Sequence, residues 1–409
     1  MNGVVFLTNL YYPKPMANGV CVHELAKDVV RRGQEAFVVC YSRNKEPKND
    51  VIDGVYVTRL RMPFYLRLKE KASCWKNGVR KTVALKYARS IALLRKLISF
   101  KEYPLRDRDL VHGMVLECCH LIKTGRIDTI VASYTPMEAI VAGAKLKTIY
   151  PDIKTVYYSL DTLSNESGAG MLPVWLRSDS GFKRERKYFE KYDYVVLMDC
   201  HKKHYSGKEY DSFKEKIIYA DFPLFHPEVS HDCGYFDPKT IVYAGSLYRV
   251  IRNPEPILKA LEPILDEFTV HFYGQSDCDD ILRYYNSLHP GHVIIHGQVT
   301  YREAQEALNR AQILLSIGNT GTEMAPSKVY EFISKGKPII HSYSDDRDFC
   351  LPILKRYGNA LCVDTRNINK CDIIEFSKTA THKIWQNENE CFLHSMSHYT
   401  IDSIMKHGK

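Results

Sequence analysis

Apolar residues fall along the chain in short runs, separated by longer amphipathic stretches. The first run is Val4 to Leu7. A loop with Pro13, Pro15 and Gly19 follows, then a stretch from about Val20 to Arg32 in which Leu25, Ala26, Val29 and Val30 repeat at helical spacing. Gly33 stops that helix, and a second strand runs from Ala36 to Cys40. The same plan returns later: strand Thr240 to Ala244, the loop "GSLYRVIRN", a helix opened by Pro254 with Ile257, Leu258, Leu261 and Ile264 on one stripe, then strand Thr269 to Tyr273. Further strands are predicted at Thr129 to Ala132, Thr155 to Tyr158, Tyr194 to Met198 and Ile217 to Tyr219. The later half adds His292 to His296, Ile313 to Ile317, Pro338 to His341 and Ala360 to Val363. Strands alternating with helices predict parallel sheets, here in two doubly wound Rossmann-like α/β domains. The domains meet near Asp221 to Lys239, which is rich in proline, aspartate and turn residues. Neither half holds G-x-G-x-x-G, so a dinucleotide site of that kind is not expected.

One stretch, "GTEMAPSKVYEFISKGKPII" from Gly321 to Ile340, carries a local misfit. Pro326 suits a first helical turn, Val329, Phe332 and Ile333 repeat at helical spacing, and Gly336 ends the helix before the next buried strand. Lys328 then lies in the first turn, where the helix dipole disfavours a cation by a few tenths of a kcal/mol up to ~1. A bound diphosphate would remove the misfit, accepting the free N–H groups of Ser327 and Lys328 and pairing with the ammonium. Glu331, on the same face, is set to take two sugar hydroxyls such as those of a ribose. Glu323 lies in the loop facing the other end of such a ligand. Alone, the stretch reads equally as a surface helix with ordinary charges.

Composition narrows the picture. A chain of 409 residues is long enough for two or three domains. Its start lacks a basic n-region and a long apolar run, and no stretch approaches ~20 apolar residues, so neither a signal peptide nor a membrane span is expected. Twelve scattered cysteines without a C-x-x-C read as reduced, mostly buried thiols of a cytoplasmic protein. The net charge of +9 is concentrated. From Arg59 to Arg108 fifteen Lys/Arg face three carboxylates, a net of +12, leaving −3 for the rest. Within this segment Val79, Val83, Tyr87, Ile91, Leu94 and Ile98 share one stripe, with Lys81, Lys86, Arg89, Arg95 and Lys96 largely off it. Residues 62–76 before it mix aromatics with cations. The pattern suits an anionic membrane surface, peripheral on the inner face of the cell membrane, or an ordinary helix with a solvated basic face. No nucleic-acid motif accompanies the charge.

The motifs also carry a resemblance. Glu323 and Glu331 form E-x7-E, and "PSKVYEFISKGKPII" resembles the P-S-K-x-x-E-Y-x-x-x-G-K-P stretch of family-4 retaining glycosyltransferases, which have the two-Rossmann glycosyltransferase-B fold. "IVYAGSLYRVIRNPEPILKAL" is similar to their strand, glycine loop and basic pair. "LYYPKPMANGVCVHELAKDVVRRGQE" is similar to their first loop and helix. The resemblance implies an acceptor-binding domain over 1–222, a nucleotide-sugar-binding domain over 223–385 facing it across a cleft, and a C-terminal helix in 386–409 packing back on the first. It implies Glu331 as the ribose ligand, Glu323 as the sugar-facing carboxylate, and Lys328, Arg249 and Arg252 as diphosphate ligands near Gly245. The chain departs from the pattern in three places. Ser246 replaces a usual arginine, leaving Arg252 the favoured and Arg249 the alternative substitute. Asn18-Gly19 replaces two glycines, so Gly19 alone matches for close approach to a ligand. Tyr134 and Thr135 precede Pro136 where many members have a histidine.

The implied reaction moves a sugar, with retention, from a nucleoside-diphosphate sugar to a glycan or a polyprenyl-diphosphate-linked acceptor, as in surface polysaccharide biosynthesis. Fixed positive groups aimed at the leaving diphosphate can replace a divalent metal, so neither cofactor nor metal is expected. "SDDRD", Ser344 to Asp348, reads as a solvated loop. Asp161, after the strand Thr155 to Tyr158, is a candidate to orient or deprotonate the acceptor, or a turn residue. His23 matches the family histidine, or caps or fills the core. Rival readings are a sugar-nucleotide 2-epimerase-like enzyme and a catalytically silent sugar-nucleotide-binding subunit.

Overall fold

The structure is a computed structural model that describes residues 3–42, 46–73, 75, 78–98, 107–164, 178–223, 237–320, 327–382 and 397–406. The chain divides into two compact units: Met1–Pro223 with Ser397–Lys409, and Leu224–Met396.

Unit 1 is built on strands β1 (Gly3–Leu10), β2 (Ala36–Ser42), β3 (Asn49–Ile52), β4 (Val55–Arg61), β5 (Ile127–Tyr134), β6 (Lys154–Ser159), β7 (Tyr194–Met198) and β8 (Ile217–Ala220). They form one sheet in the order β3-β4-β2-β1-β5-β6-β7-β8, parallel except for the β3–β4 hairpin. β1, β2 and β5 are buried on both faces, as apolar runs in the middle of parallel sheets are. Helices α1 (Ala17–Arg31), α2 (Phe64–Ser73), α3 (Val79–Ile98), α4 (Arg108–Lys123), α5 (Met137–Ile149), α6 (Ser178–Phe189) and the single turn α7 (Lys202–Tyr205) connect the strands. The β3–β4 hairpin turns at Asp53 and Gly54, both at positive φ (50° and 79°). The apolar periodicity of the sequence does not anticipate this hairpin.

Unit 2 holds β9 (Asp237–Ala244), β10 (Thr269–Tyr273), β11 (Val293–Gly297), β12 (Ala311–Ile317), β13 (Ile339–Tyr343) and β14 (Ala360–Asp364), all parallel in the order β11-β10-β9-β12-β13-β14. Its helices are α8 (Glu255–Leu261), α9 (Asp279–Leu288), α10 (Tyr301–Arg310), α11 (Lys328–Ser334), α12 (Cys350–Tyr357) and α13 (Lys370–Thr379). Local chemistry sets several ends. Thr300 and Glu303 make a reciprocal capping box at α10, and Gly358 closes α12 at φ 71°. Most of the stretch expected to link the domains, residues 224–236, lies outside the described residues.

The last helix, α14 (Ser397–Lys406), belongs to unit 1. It packs on α1, where Arg32 just past the helix end pairs with Asp402 (2.5 Å), and the Lys154 ammonium donates to the Ile404 carbonyl. Ile401 and Ile404 are fully buried.

In each sheet the strand order reverses once, between β1 and β5 and between β9 and β12. The loops beyond the carboxyl ends of those strands are where ligands of open parallel sheets bind. A buried carboxylate braces the next strand exit in unit 1. Glu185 on α6 is fully buried and accepts from the Leu163 N–H (3.1 Å) and from the hydroxyls of Ser164 (2.7 Å), Tyr205 (2.9 Å) and Tyr210 (2.5 Å). This cage ties the segment after β6 to α6. Glu185→Gln keeps the volume but removes the charge from four hydrogen bonds. It should lower the unfolding free energy by about 1–3 kcal/mol, read by chemical denaturation. A wild-type midpoint would show that the cage contributes nothing.

Candidate active site

The β9–β12 reversal brings together several residues singled out in the sequence. β9 ends at Ala244, and Gly245 turns the chain out of the sheet with its N–H on the Tyr273 carbonyl (2.8 Å). A Cβ on Gly274 would lie 2.0 Å from the Gly245 carbonyl oxygen, so the two strand exits touch backbone to backbone. Residues 248–252 then fold into a tight turn in which the Arg252 N–H reaches the Tyr248 carbonyl (2.6 Å). Arg252 Nε donates to Asn319 Oδ1 (2.6 Å), and the Thr320 N–H donates to the Ile251 carbonyl (2.8 Å). The loops after β9 and β12 are thus stitched to each other by side chain and backbone.

Lys328 enters the same corner from α11. The residue is exposed at the helix start, but its ammonium turns inward and donates to the Ala244 carbonyl. That enclosure pushes its pKa below the usual lysine value. Nearby Glu331 pulls it back up and Arg252 pushes it down. Glu331 in turn accepts a hydrogen bond from Gln305 of α10. Two cations and a carboxylate therefore share one corner. Such a set can hold a doubly charged anion and a pair of hydroxyls.

The structure amends the sequence reading here in three ways. α11 is only seven residues long and starts directly after Ser327, so its dipole is a minor feature and the cations dominate. Lys328 also has protein partners, the Ala244 carbonyl and the charge of Glu331, so its position needs no ligand to be tolerated. Of the two arginines, only Arg252 joins Lys328. Arg249 is exposed and turned to α9, pairing with both oxygens of Asp280 (2.5 and 2.7 Å) while its N–H meets Asp277 (2.7 Å). Glu323 lies outside the described residues.

The β1–β5 reversal in unit 1 holds a second group. His23 on α1 is buried between Tyr11, whose hydroxyl is 2.5 Å from Nδ1, and Asp53, whose Oδ2 is 3.0 Å from Nε2. The Tyr12 ring leans on it at 4.4 Å between centroids. Burial pushes the His23 pKa below 6.5, and its bond to Asp53 pulls it up. Burial also holds Tyr11 well above the phenolic range, keeping it a donor. The consistent assignment is a neutral imidazole that accepts from Tyr11 at Nδ1 and donates from Nε2–H to Asp53.

Gly19 does not present its backbone to open space, because a Cβ there would lie 2.2 Å from the Leu10 carbonyl oxygen. It lets α1 start hard against the end of β1. Asn18 bridges to the loop after β5, donating to the Thr135 carbonyl (3.0 Å) and its hydroxyl (3.3 Å). Asp161 lies just past β6, half-buried, and burial pushes its carboxyl up to about 6. Ser159 Oγ donates to its backbone carbonyl.

Asp53, Tyr11, Asn319 and Gln305 were not identified from sequence. The D-G pair flanked by alternating apolar residues was the available signal for Asp53. The other three contacts depend on tertiary placement alone.

No protein-family model matches the chain, and no curated protein matches its sequence. Solved structures do match. A UDP-GlcNAc 2-epimerase from Methanocaldococcus jannaschii aligns with a TM-score of 0.53 at 10% identity, covering 99% of each chain. An α,α-trehalose-phosphate synthase (UDP-forming) from Burkholderia xenovorans, in complex with glucose-6-phosphate, gives 0.55 at 10% identity over 100% of this chain and 97% of that one. WaaG, a glycosyltransferase involved in lipopolysaccharide biosynthesis, gives 0.54 at 12% identity over 98% and 99%. At such identities the likeness shows the fold alone: the two-domain, Rossmann-like glycosyltransferase-B architecture.

Because His23 is neutral in the fold and its pKa is depressed, the native state binds fewer protons than the unfolded chain as pH falls below about 6.5. Its contribution is complete above that value and is lost as pH drops through the lowered folded pKa. Between pH 7.5 and 5.5 the wild type should lose stability more steeply than His23→Asn, read from urea midpoints. Parallel losses would mean that His23 keeps its ordinary pKa.

Proposed function

We propose that the chain is a glycosyltransferase that takes its sugar from a nucleoside diphosphate. The observation that carries this reading is the Arg252–Lys328–Glu331 corner at the β9–β12 reversal, where a parallel sheet of this kind receives its ligand. Breaking the anomeric bond builds negative charge on the departing diphosphate. Arg252 and Lys328 are fixed positive groups set to meet it, so the reaction runs without a metal ion. Glu331 accepts from two ribose hydroxyls, exchanging its bond to Gln305 for stronger charge-assisted ones. Glu323 serves the sugar end of the donor. In unit 1, Asp161 takes the acceptor proton, and a carboxyl shifted to about 6 by burial is a better base near neutrality than an ordinary aspartate. With no covalent nucleophile singled out, attack from the leaving-group face gives retention. His23 positions the loop after β1 through Tyr11 and Asp53. The UDP-GlcNAc named for one fold neighbour and the UDP named as product for another support a donor of this class.

The acceptor half of the proposal is a glycan or polyprenyl-diphosphate-linked acceptor of surface polysaccharide biosynthesis, met at an anionic membrane. No helix among the described residues is long and apolar enough to cross a membrane. α3, however, carries its apolar stripe outward: Val79 is 81% exposed, and Val83, Tyr87 and Leu94 are also exposed. The helix has no acidic residue among its twenty, and Phe64 on α2 is exposed as well. An outward apolar stripe flanked by cations supports a helix that lies in a lipid interface.

Two experiments test these halves. Calorimetric titration of UDP and GDP without metal should give binding of one nucleotide, weakened at least tenfold in Glu331→Ala, as the loss of about 1.5–3 kcal/mol of charged hydrogen bonds implies. Equal binding by wild type and variant would remove Glu331 from the site. With the donor so identified, an epimerised donor in place of transfer product would move the reading to a 2-epimerase. For the membrane, vesicles rich in anionic lipid should float the wild type but not Val83→Glu/Leu94→Glu. Flotation indifferent to lipid charge and to the variant would refute the interfacial role.

A further inference from the structure

A second polar cluster lies beneath the β12 exit, apart from the donor corner. His341 on β13 is fully buried, and its Nδ1 is 2.9 Å from Ser316 Oγ on the neighbouring strand β12. Its other nitrogen, Nε2, is buried and makes no hydrogen bond. It stands 3.4 Å from Asp348 Oδ2, off the geometry a hydrogen bond needs. Asp348 turns inward from the loop before α12, and its Oδ1 accepts from the Cys350 N–H (2.8 Å). Cys350 is buried at the first position of α12, and the ligating atoms of His341, Asp348 and Cys350 all lie within 4.8 Å of one another. Asp348 was expected in a solvated loop. Only its neighbours fit that: Asp345 pairs with Arg347 and Asp346 with Arg366 near the surface, while the Asp348 side chain is 6% exposed.

We propose that His341, Asp348 and Cys350 bind a divalent cation of the zinc type. In the tautomer whose Nδ1–H donates to Ser316, the Nε2 lone pair faces a carboxylate oxygen, two acceptors with nothing between them. A cation resolves that opposition. An imidazole whose far nitrogen is oriented by a hydrogen bond is the usual form of a metal-binding histidine. Thiolate, imidazole and carboxylate together suit zinc, whose bonds of about 2.0–2.3 Å need the donors to draw slightly closer than they stand. Binding releases the Cys350 thiol proton to solvent. Cys362 lies opposite His341 in the β13–β14 register, but its sulfur is not one of the three grouped donors, so solvent would complete the coordination.

The role is structural. Asp348 Oδ2 occupies the space where a Cβ on Gly318 would lie, 2.2 Å away, and Gly318 precedes Asn319, which holds Arg252. A bound cation would lock the α12 start and β13 under that loop without touching the reacting atoms. This site stands independently of the proposed transfer reaction.

The test reads metal, not activity. Full-length protein stripped with chelator is titrated with Zn2+, and separately with Co2+, before gel filtration and elemental analysis. The expected result is one zinc per chain retained, a raised thermal midpoint, and a thiolate-to-cobalt charge-transfer band. Cys350→Ser should abolish the band, and Asp348→Asn should weaken binding at least tenfold. Zinc lost on gel filtration or a cobalt adduct without the band, both measured on wild type, would overturn the proposal. Retention unchanged in both variants would also overturn it, assigning the metal to other thiols and imidazoles.

Discussion

Lys328 and Arg252 repel each other, and the architecture of unit 2 is arranged to keep them adjacent. Two cations in one partly enclosed corner oppose folding unless neutral dipoles and a nearby carboxylate offset them. The Ala244 carbonyl takes the ammonium, Asn319 takes the guanidinium, and Glu331 supplies the countercharge. Each contributor comes from a different segment: the β9 exit, the β12 exit and α11. The corner therefore exists only when the sheet order is formed and both exits are stitched. In the proposed reaction, the donor diphosphate replaces this weak internal compensation with direct pairing, so binding energy is available without a change of fold.

Unit 1 solves a comparable problem with a neutral group. His23 is clamped at both nitrogens, by a phenol that stays protonated and by an aspartate on the β3–β4 turn. The clamp carries no net positive charge, so it holds the loop after β1 without creating an anion site. Asn18 performs the same service toward the loop after β5. The two reversals thus differ in character, one cationic and one neutral, as donor and acceptor functions require in the proposed reaction.

The doubly wound organisation is legible in the sequence because buried parallel strands are continuous apolar runs and the helices between them keep one stripe. All twelve predicted strands fall within three residues of their observed positions, and Tyr194–Met198 matches without any shift. The β3–β4 hairpin is not read from apolar runs because β4 alternates buried and exposed positions near a sheet edge. Its signal lies in the D-G turn instead. At the site, the types Lys328, Arg252 and Glu331 are legible, but their internal partners are not. Ala244 acts through its carbonyl, and Asn319 and Gln305 stand 67 and 26 positions from the residues they meet. Gly19 illustrates the converse: a glycine that fits a ligand-approach motif is also required by the Leu10 carbonyl behind it, and sequence cannot separate the two demands.

The segment after β6 shows how cost and function are distributed. Its polar groups are well satisfied by Glu185, which takes the Leu163 N–H and the Ser164 hydroxyl, and by His201, which meets the Leu160 carbonyl at 3.3 Å. Asp161 sits inside this braced stretch, and desolvation is the cause of its raised pKa. A desolvated carboxyl on an otherwise well-bonded loop is an energetic cost that the Glu185 cage offsets. The same desolvation that costs stability raises proton affinity, and a carboxyl near 6 is half ionised where an ordinary aspartate is already a weak base. In the proposed reaction, the brace and the base are therefore one device: Glu185 holds the loop so that Asp161 can remain poorly solvated.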